Sequence, residues 1–292
     1  MSGIDLEDKA RWVRQQVLEM CARAGEGRVA SSLSCVEILV TLYHGGILRF
    51  DLTNPHWEGR DRFILSKGQG FPALACVLAD LGFFPMEELE RFCQPGAMLG
   101  PYGGDNIPGV EAVWGSLGHG LGVACGLALA AKMNGGGYDV VVLLGDGELY
   151  EGAVWEAAMF AAHHRLSNLV AIVDRNGACV TDFTEHCLRL EPLDEKWRAF
   201  GWEVVGAQVA NPQGDDYTTH INGHSFLHLS AALRERSRLN SPGRPRVLIA
   251  ETVKGKGLSL LEGNPLAHVI IPSGKELEQA RSQLALVAEE AG

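Results

Sequence analysis

Two oxygen-bearing side chains follow two apolar, strand-like runs near the middle of the sequence. Asp146 comes just after the run at residues 139–144, and Asn176, 30 residues further on, comes just after the run at 169–173. Because ligands bind beyond the carboxyl ends of parallel strands, both side chains are expected at one edge of a sheet. A carboxylate and an amide oxygen suit a hard divalent cation, Mg²⁺ or Ca²⁺. The remaining ligands would be backbone carbonyls, water and phosphate oxygens.

Glycines flank the carboxylate on both sides. Gly145 and Gly147 allow the backbone to approach a phosphate closely, and the helix that follows presents free N–H groups to the same anion. These residues predict a site for a metal and a diphosphate. An ordinary strand-to-helix turn, with a capping Asp and a turn Asn, is the alternative that the spacing alone leaves open.

The elements around these residues form a βαβ unit. The two apolar runs are typical of strands buried on both faces of a parallel sheet, and the crossover between them is expected to be right-handed. The intervening helix at residues 148–164 is predicted to turn Trp155, Met159 and Phe160 inward.

The rest of the chain continues the alternation of strands and helices. Asp5 can cap a first helix, and residues 117–133 read as a buried helix packed closely against a neighbour. The polar, turn-rich stretch at 207–220 reads as a surface insertion, and the irregular stretch at 93–113 is long enough to be functional. Further strands are predicted at 62–66, 202–205 and 247–251, and further helices at 34–43, 72–81, 225–239 and 275–290. The fold class is α/β: a doubly wound, mostly parallel sheet with helices on both faces, in a single domain over residues 1–292.

Composition excludes several functional classes. Hydrophobic residues make up 46% of the 292 residues, which rules out global disorder, and the net charge of −11 argues against a general nucleic-acid binder. The longest apolar stretch is interrupted by glycines, so no membrane span is expected, and the acidic N-terminus does not resemble a signal peptide. We therefore expect a cytoplasmic protein. Seven cysteines without a Cys-x-x-Cys pair favour buried thiols over a disulfide scaffold or a zinc site.

Several motifs resemble those of one enzyme family. Gly145-Asp146-Gly147 followed by Asn176 resembles the thiamine-diphosphate motif, and residues 145–157 resemble transketolases. Further blocks with this resemblance occur in family order over nearly the whole chain, at residues 60–68, 108–111, 115–120, 196–202 and 252–257. The resemblance implies the diphosphate-binding domain of a transketolase-like enzyme.

The resemblance also implies cofactors and the residues that bind them. Thiamine diphosphate and Mg²⁺ (or Ca²⁺) are the expected cofactors, with the metal held by Asp146, Asn176 and the carbonyl of Ala178. The residues implied to contact thiamine diphosphate are Gln69, Gly115, Ser116, Leu117, Gly145, Asp146, Gly147, Asn176, Val180 and His268. Catalytic positions are implied at His268, Glu151, Gln69 and Arg28, with Glu151 matching a family Glu at a domain interface.

A partner chain is implied as well. In the family, a pyrimidine-binding domain carries the Glu that activates the cofactor, and no such domain fits within these 292 residues. The sequence is therefore similar to the N-terminal subunit of a split transketolase. The resemblance predicts a second subunit, with the two assembling as a heterotetramer that acts on small molecules, phosphorylated or carrier-bound.

The sequence departs from the family at the substrate end. Arg28, Gln69 and a position near Pro101 stand where family members usually carry histidines that line the substrate channel. Gln cannot titrate and Arg can only donate, so these positions predict a remodelled substrate site. Four functions remain open. Two are transketolases: a transferase with an altered donor or acceptor, and an ordinary transketolase with substitute residues. The others are a thiamine-dependent carboligase or decarboxylase using a 2-oxo acid or a carrier-bound acceptor, and a non-catalytic stabilising subunit.

Overall fold

A parallel sheet forms the centre of the protein in a computed structural model that describes residues 5–104, 107–112, 116–211, 214–235 and 243–286. The strands of this sheet are β1 (Arg62–Leu65), β2 (Val140–Gly145), β3 (Leu169–Arg175), β4 (Glu203–Val205), β7 (His220–Asn222) and β8 (Arg246–Glu251). Their order is β1–β2–β3–β8, with β4 and β7 both pairing with the outer side of β8. All of their pairings are parallel.

Helices connect these strands and cover the sheet. The helices are α1 (Leu6–Ala24), α2 (Val29–Leu33), α3 (Val36–Tyr43), α4 (Phe71–Leu81), α5 (Gly120–Asn134), α6 (Gly152–His163), α7 (Thr184–Cys187), α8 (Leu193–Ala199), α9 (Phe226–Glu235) and α10 (Gly274–Leu286). The Asp5 carboxylate accepts hydrogen bonds from the amides of Glu7 and Asp8 and so caps α1, as the sequence predicts.

Two hydrophobic cores lie on opposite faces of the sheet. One contains the apolar faces of α1 to α4, α9 and α10, and the other contains those of α5, α6 and α8. Side chains of β2 alternate between them, since Val141 and Leu143 enter the first core while Val142 and Leu144 enter the second. The doubly wound α/β prediction is therefore confirmed, including the β2–α6–β3 unit.

The predicted insertion at 207–220 is a folded hairpin followed by a strand of the sheet. Strands β5 (Ala207–Asn211) and β6 (Gly214–Thr218) pair antiparallel with each other, and β7 follows directly. The chain thus leaves the sheet after β4 and returns to the same edge at β7.

The predicted orientation of α6 is wrong for two residues. Met159 and Phe160 are 54% and 39% exposed, whereas the residues facing the core are Val154, Ala157, Ala158 and Ala161. The prediction failed because α6 is apolar around most of its surface, so that periodicity cannot tell the core side from the outer side. Helix α5 is likewise only half buried, since Gly122, Val123 and Gly126 lie on an exposed face.

The expectation of buried thiols needs a similar correction. Cys21, Cys35, Cys76 and Cys125 are buried, but Cys93 and Cys179 are partly accessible and Cys187 is exposed. Within the described ranges, no helix is long and apolar enough to cross a membrane.

Candidate active site

The carboxylate of Asp146 lies at the carboxyl end of β2, in a buried position. Only 1% of the residue is exposed. One carboxylate oxygen accepts from the amide of Gly147 (2.8 Å), and the other accepts from the amide of Gly177 (2.6 Å) and from Arg175 (3.1 Å). Burial and the nearby charge of Asp174 raise the pKa of Asp146 to about 6. A cation placed beside this carboxylate would favour its charged form.

Asn176 and Ala178 follow β3 and line the same cleft. Asn176 Oδ1 accepts from the amide of Ala178 (3.2 Å), which fixes a tight loop after the strand. Residues of the predicted site that line this cleft are Gln69, Leu117, Gly145, Asp146, Gly147, Asn176, Ala178, Val180 and His268. The cleft contains about 490 Å³ of empty space, open on one side to solvent.

A second buried carboxylate, that of Glu148, connects three segments of the chain beside Asp146. Glu148, 1% exposed, accepts from the amides of Gly118 (2.9 Å) and Gly145 (3.0 Å) and from the hydroxyl of Ser66. Burial raises its pKa, while these hydrogen bonds act in the opposite direction. One side chain therefore connects the ends of β1 and β2 with the loop that precedes α5.

An ion pair lies beneath the cleft. Lys67, which follows β1, pairs with Asp174 of β3, and both are buried. Asp174 also accepts from Ser34 (2.6 Å) and from Thr252. The charge of Lys67, and after it these hydrogen bonds, hold the pKa of Asp174 below its usual value against the opposing effect of burial. Lys67 itself lines the cleft, where it places a positive charge.

His268 also lines the cleft and lies near several cationic groups. His268 lies in the short 3₁₀ helix Pro265–Val269, and the nearby Lys254 donates to the carbonyl of Cys179 (2.6 Å). Burial and the charges of Lys254, Arg28 and Lys67 lower the pKa of His268 to about 4. At neutral pH this imidazole is uncharged, so it can both donate and accept a hydrogen bond.

Three predicted residues lie outside the cleft lining. Arg28 is next to it: its guanidinium donates to Glu26 (3.0 Å) and to the carbonyl of Gly27 (2.7 Å) and stacks over the Tyr102 ring. Ser116 is exposed, and Glu151 is exposed at the N-terminal end of α6. Gly115 lies outside the described residues.

The arrangement fits a divalent metal bound to a diphosphate. Asp146, Asn176 and Ala178 supply a carboxylate, an amide oxygen and a backbone carbonyl along one wall, a donor set that suits Mg²⁺ or Ca²⁺. A Cβ added at Gly147 would lie 3.2 Å from that of Cys179, so glycine keeps this wall open. Lys254, which also lines the cleft, can balance part of the charge of phosphate groups.

The sequence prediction missed several residues of the site. Lys67 and Lys254 occur within the quoted motif blocks and could have been singled out as cations beside a diphosphate. Glu148 and Arg175 are adjacent to predicted ligands, but their roles depend on contacts that only the fold creates. Arg175 is bound by Asp146, Glu185 (2.9 Å) and Glu191 (3.1 Å), and so connects the predicted metal site to the chain beyond α7.

Comparison with known proteins identifies relatives along the whole chain. Residues 7–291 match the family model described as "Transketolase, thiamine diphosphate binding domain". The chain is 39% identical to a 6-deoxy-6-sulfo-D-fructose transketolase subunit from Clostridium sp., covering 91% of this chain and 90% of that protein. It is also 39% identical to an apulose-4-phosphate transketolase subunit from Actinobacillus succinogenes, covering 97% of each.

Full-length transketolases match over less than half of their length. Human transketolase is 33% identical over 90% of this chain but only 39% of its own length. The crystal structure of Campylobacter jejuni transketolase superposes with a TM-score of 0.81 at 28% identity, covering 96% of this chain and 42% of that one.

Proposed function

Because the chain belongs to the transketolase family, we propose that it is the cofactor-anchoring subunit of a split transketolase, which moves a two-carbon ketol unit from a donor to an acceptor. The observation that carries this proposal is the cleft around Asp146, which combines a metal donor set with buried cations. The end-to-end match to proteins named as transketolase subunits supports the split arrangement.

The residues of this chain would bind and orient the cofactor. Asp146, Asn176 and the carbonyl of Ala178 would hold Mg²⁺, and the open wall at Gly147 would receive the diphosphate. When bound, thiamine diphosphate supplies the carbanion chemistry that breaks and makes carbon–carbon bonds. The uncharged His268, which also lines the cleft, would hydrogen-bond the substrate or the diphosphate.

The exposed face of α5 and α6 supports the proposal of a second chain in the complex. Val123 and Met159 are large, apolar and exposed there, and small residues such as Gly126 would allow close helix contact. Glu151 lies at the start of α6, where a partner on this face would bury it. We propose that the partner carries the pyrimidine-binding domain and the activating Glu, and that two such pairs form a heterotetramer.

The substrate is proposed to be a ketose with an anionic group. The relatives described above are named for a sulfonated and a phosphorylated sugar, respectively. Arg28 and Gln69 stand at or beside the cleft in place of the usual histidines, and Arg28 can bind such an anion through its guanidinium. We also propose a cytoplasmic location.

Cofactor binding by the assembled complex tests the proposal. Asp146→Ala is expected to weaken Mg²⁺-dependent binding of thiamine diphosphate, measured by calorimetry, by about 100-fold or more, since it removes a charged metal ligand. Glu195→Ala, on an exposed position of α8, is the matched control and should bind normally. Unchanged binding in Asp146→Ala would overturn the proposed cofactor site.

A substrate screen separates the remaining alternatives. The complex is expected to release product from sulfonated or phosphorylated ketoses when an aldose acceptor is supplied. Turnover only with 2-oxo acids would instead identify a carboligase or decarboxylase. Binding of thiamine diphosphate without turnover of any substrate would identify a stabilising subunit.

A further inference from the structure

Two thiols meet at the rim of the cleft. The Sγ atoms of Cys179 and Cys187 lie 3.2 Å apart. Cys179 is partly buried and lines the cleft, whereas Cys187 is exposed at the end of α7. A disulfide has an S–S distance of about 2.05 Å, so the two atoms need to approach by only about 1 Å.

The backbone between the two cysteines holds them face to face. The amide of Cys179 donates to the carbonyl of Asp182 (3.0 Å), and the amide of Cys187 donates to the carbonyl of Phe183 (3.2 Å). A further hydrogen bond from the amide of Thr184 to the carbonyl of Gly177 (2.9 Å) closes the loop. A tight turn followed by one turn of helix therefore brings the thiols together, without needing a rearrangement of the fold.

We propose that Cys179 and Cys187 form a reversible intrachain disulfide by exchange with a low-molecular-weight disulfide of the glutathione class. One cysteine sulfur attacks the disulfide, its S–S bond breaks, and one small thiol leaves. The second cysteine sulfur then attacks the mixed disulfide and releases the other small thiol. Two protein thiols are oxidised and one small disulfide is reduced to two thiols, so atoms and electrons balance.

Oxidation at this position would change the wall of the cleft. The carbonyl of Cys179 accepts from Lys254, one of the cations in the cleft, and its Cβ packs directly beside Gly147. Drawing Cys179 towards Cys187 would change the geometry of both contacts. This consequence, unlike the disulfide itself, rests on the proposed function: we expect the oxidised form to bind thiamine diphosphate less tightly.

Peptide mass analysis of the full chain tests disulfide formation directly. Trypsin cleaves after Arg175 and Arg189, so both cysteines fall in one peptide, residues 176–189. After treatment with oxidised glutathione, this peptide is expected to be lighter by two hydrogen atoms and resistant to alkylation, and dithiothreitol should reverse both changes. Cys187→Ser should abolish the mass loss, whereas Cys93→Ser, a partly accessible cysteine elsewhere in the chain, should leave it unchanged.

Two outcomes would overturn the proposal that Cys179 and Cys187 form a disulfide. One is a peptide whose two thiols remain available to alkylation, and the other is a stable mixed disulfide with glutathione on Cys187. Either would show that the observed proximity of the sulfur atoms does not lead to a bond.

Calorimetry with thiamine diphosphate and Mg²⁺ tests the consequence on the complex with its partner subunit. Oxidation is expected to weaken binding by about fivefold or more, a typical size for coupling between two sites. Cys187→Ser should have the same affinity before and after the oxidant. Equal affinity of the oxidised and reduced wild type would contradict the coupling. Absence of thiamine diphosphate binding in both the oxidised and the reduced form would contradict the proposed function. The mass analysis would still decide whether the disulfide forms.

Discussion

At the scale of single residues, the buried pair of Lys67 and Asp174 explains how the cleft can contain fixed charges. Each charge has lost its water, and the cost is offset by the partner and by hydroxyl groups from Ser34 and Thr252. These contacts come from four separate segments of the chain. The pair therefore fixes the relative positions of those segments below the predicted metal site.

Removing one charge of this pair should be costly. Asp174→Asn leaves Lys67 as a buried, unbalanced cation, and we expect a loss of about 3–5 kcal/mol in the free energy of unfolding, measured in urea. Asp8→Asn, which removes an exposed partner of Arg11, is the control and should change stability by less than about 1 kcal/mol. A loss in Asp174→Asn as small as in the control would show that the buried pair is not a structural requirement.

His268 predicts a specific dependence of stability on pH. Its pKa falls from the usual 6.5 to about 4 in the folded chain. Between these values the unfolded state takes up a proton that the folded state does not, so His268 lowers stability as the pH falls through this window. His268→Gln should therefore lose less stability than the wild type between pH 6.5 and pH 4.

Urea unfolding at several pH values measures this difference. The exposed His56 provides the control, since His56→Gln should follow the wild-type curve. Parallel curves for the wild type and His268→Gln would show that the imidazole is not shielded from protonation.

The sequence predicted the positions of Asp146 and Asn176 at the carboxyl ends of two strands, because these positions follow from local apolar runs. Their role as metal ligands stays a prediction. The sequence could not predict that Lys67 pairs with Asp174, because the two are 107 positions apart and nothing local relates them. The contact between Cys179 and Cys187 was missed for a different reason. Their spacing is short, but only the turn between them makes the thiols meet.

At the scale of elements, the loop before α5 lies between two contacts. Gly118 in this loop donates to the Glu148 carboxylate and packs closely against Glu151 at the start of α6. Gly118 has a positive φ of 86°, and a Cβ there would lie 2.6 Å from the Cβ of Glu151. Glycine at this position therefore allows the loop to reach the Glu148 carboxylate.

Two glycine substitutions should have opposite effects. Gly118→Ala is expected to lower the free energy of unfolding by about 1–3 kcal/mol, because it combines backbone strain with a collision. Gly122→Ala lies on the exposed face of α5 with nothing within 4 Å, and should stabilise the isolated chain by about 0.5–1 kcal/mol. Thermal unfolding of both variants measures the difference, and a stabilising Gly118→Ala would contradict the assigned loop conformation.

Helix α6 shows where prediction from sequence reaches its limit. The existence of the helix follows from its composition and its position between two strands. Its orientation does not, because a helix that packs on the sheet and also presents apolar residues outward has no clear polar face. The error at Met159 and Phe160 is itself informative, since it identifies the surface that we assign to the partner.

At the scale of the whole molecule, the outer face of α5 and α6 exposes large apolar side chains such as Val123 and Met159. A charge on the exposed face of α5 and α6 should prevent assembly. Met159→Asp is expected to abolish co-purification with the partner subunit while leaving the melting temperature of the isolated chain unchanged, because the side chain already faces solvent there.

A matched variant on the opposite face provides the control. Leu227 on α9 is 76% exposed and belongs to the other side of the sheet, so Leu227→Asp should leave assembly intact. If Met159→Asp also retains the partner, the partner does not bind at the α5–α6 face.

The edge of the sheet beside β8 is built from two short strands placed end to end. β4 pairs with residues 246–248 and β7 with residues 249–251, so the chain between them returns to where it left. The β5–β6 hairpin can consequently change in length without shifting the alignment of either strand. It is a natural place to graft a fluorescent reporter or an affinity tag, on the opposite edge of the sheet from β1.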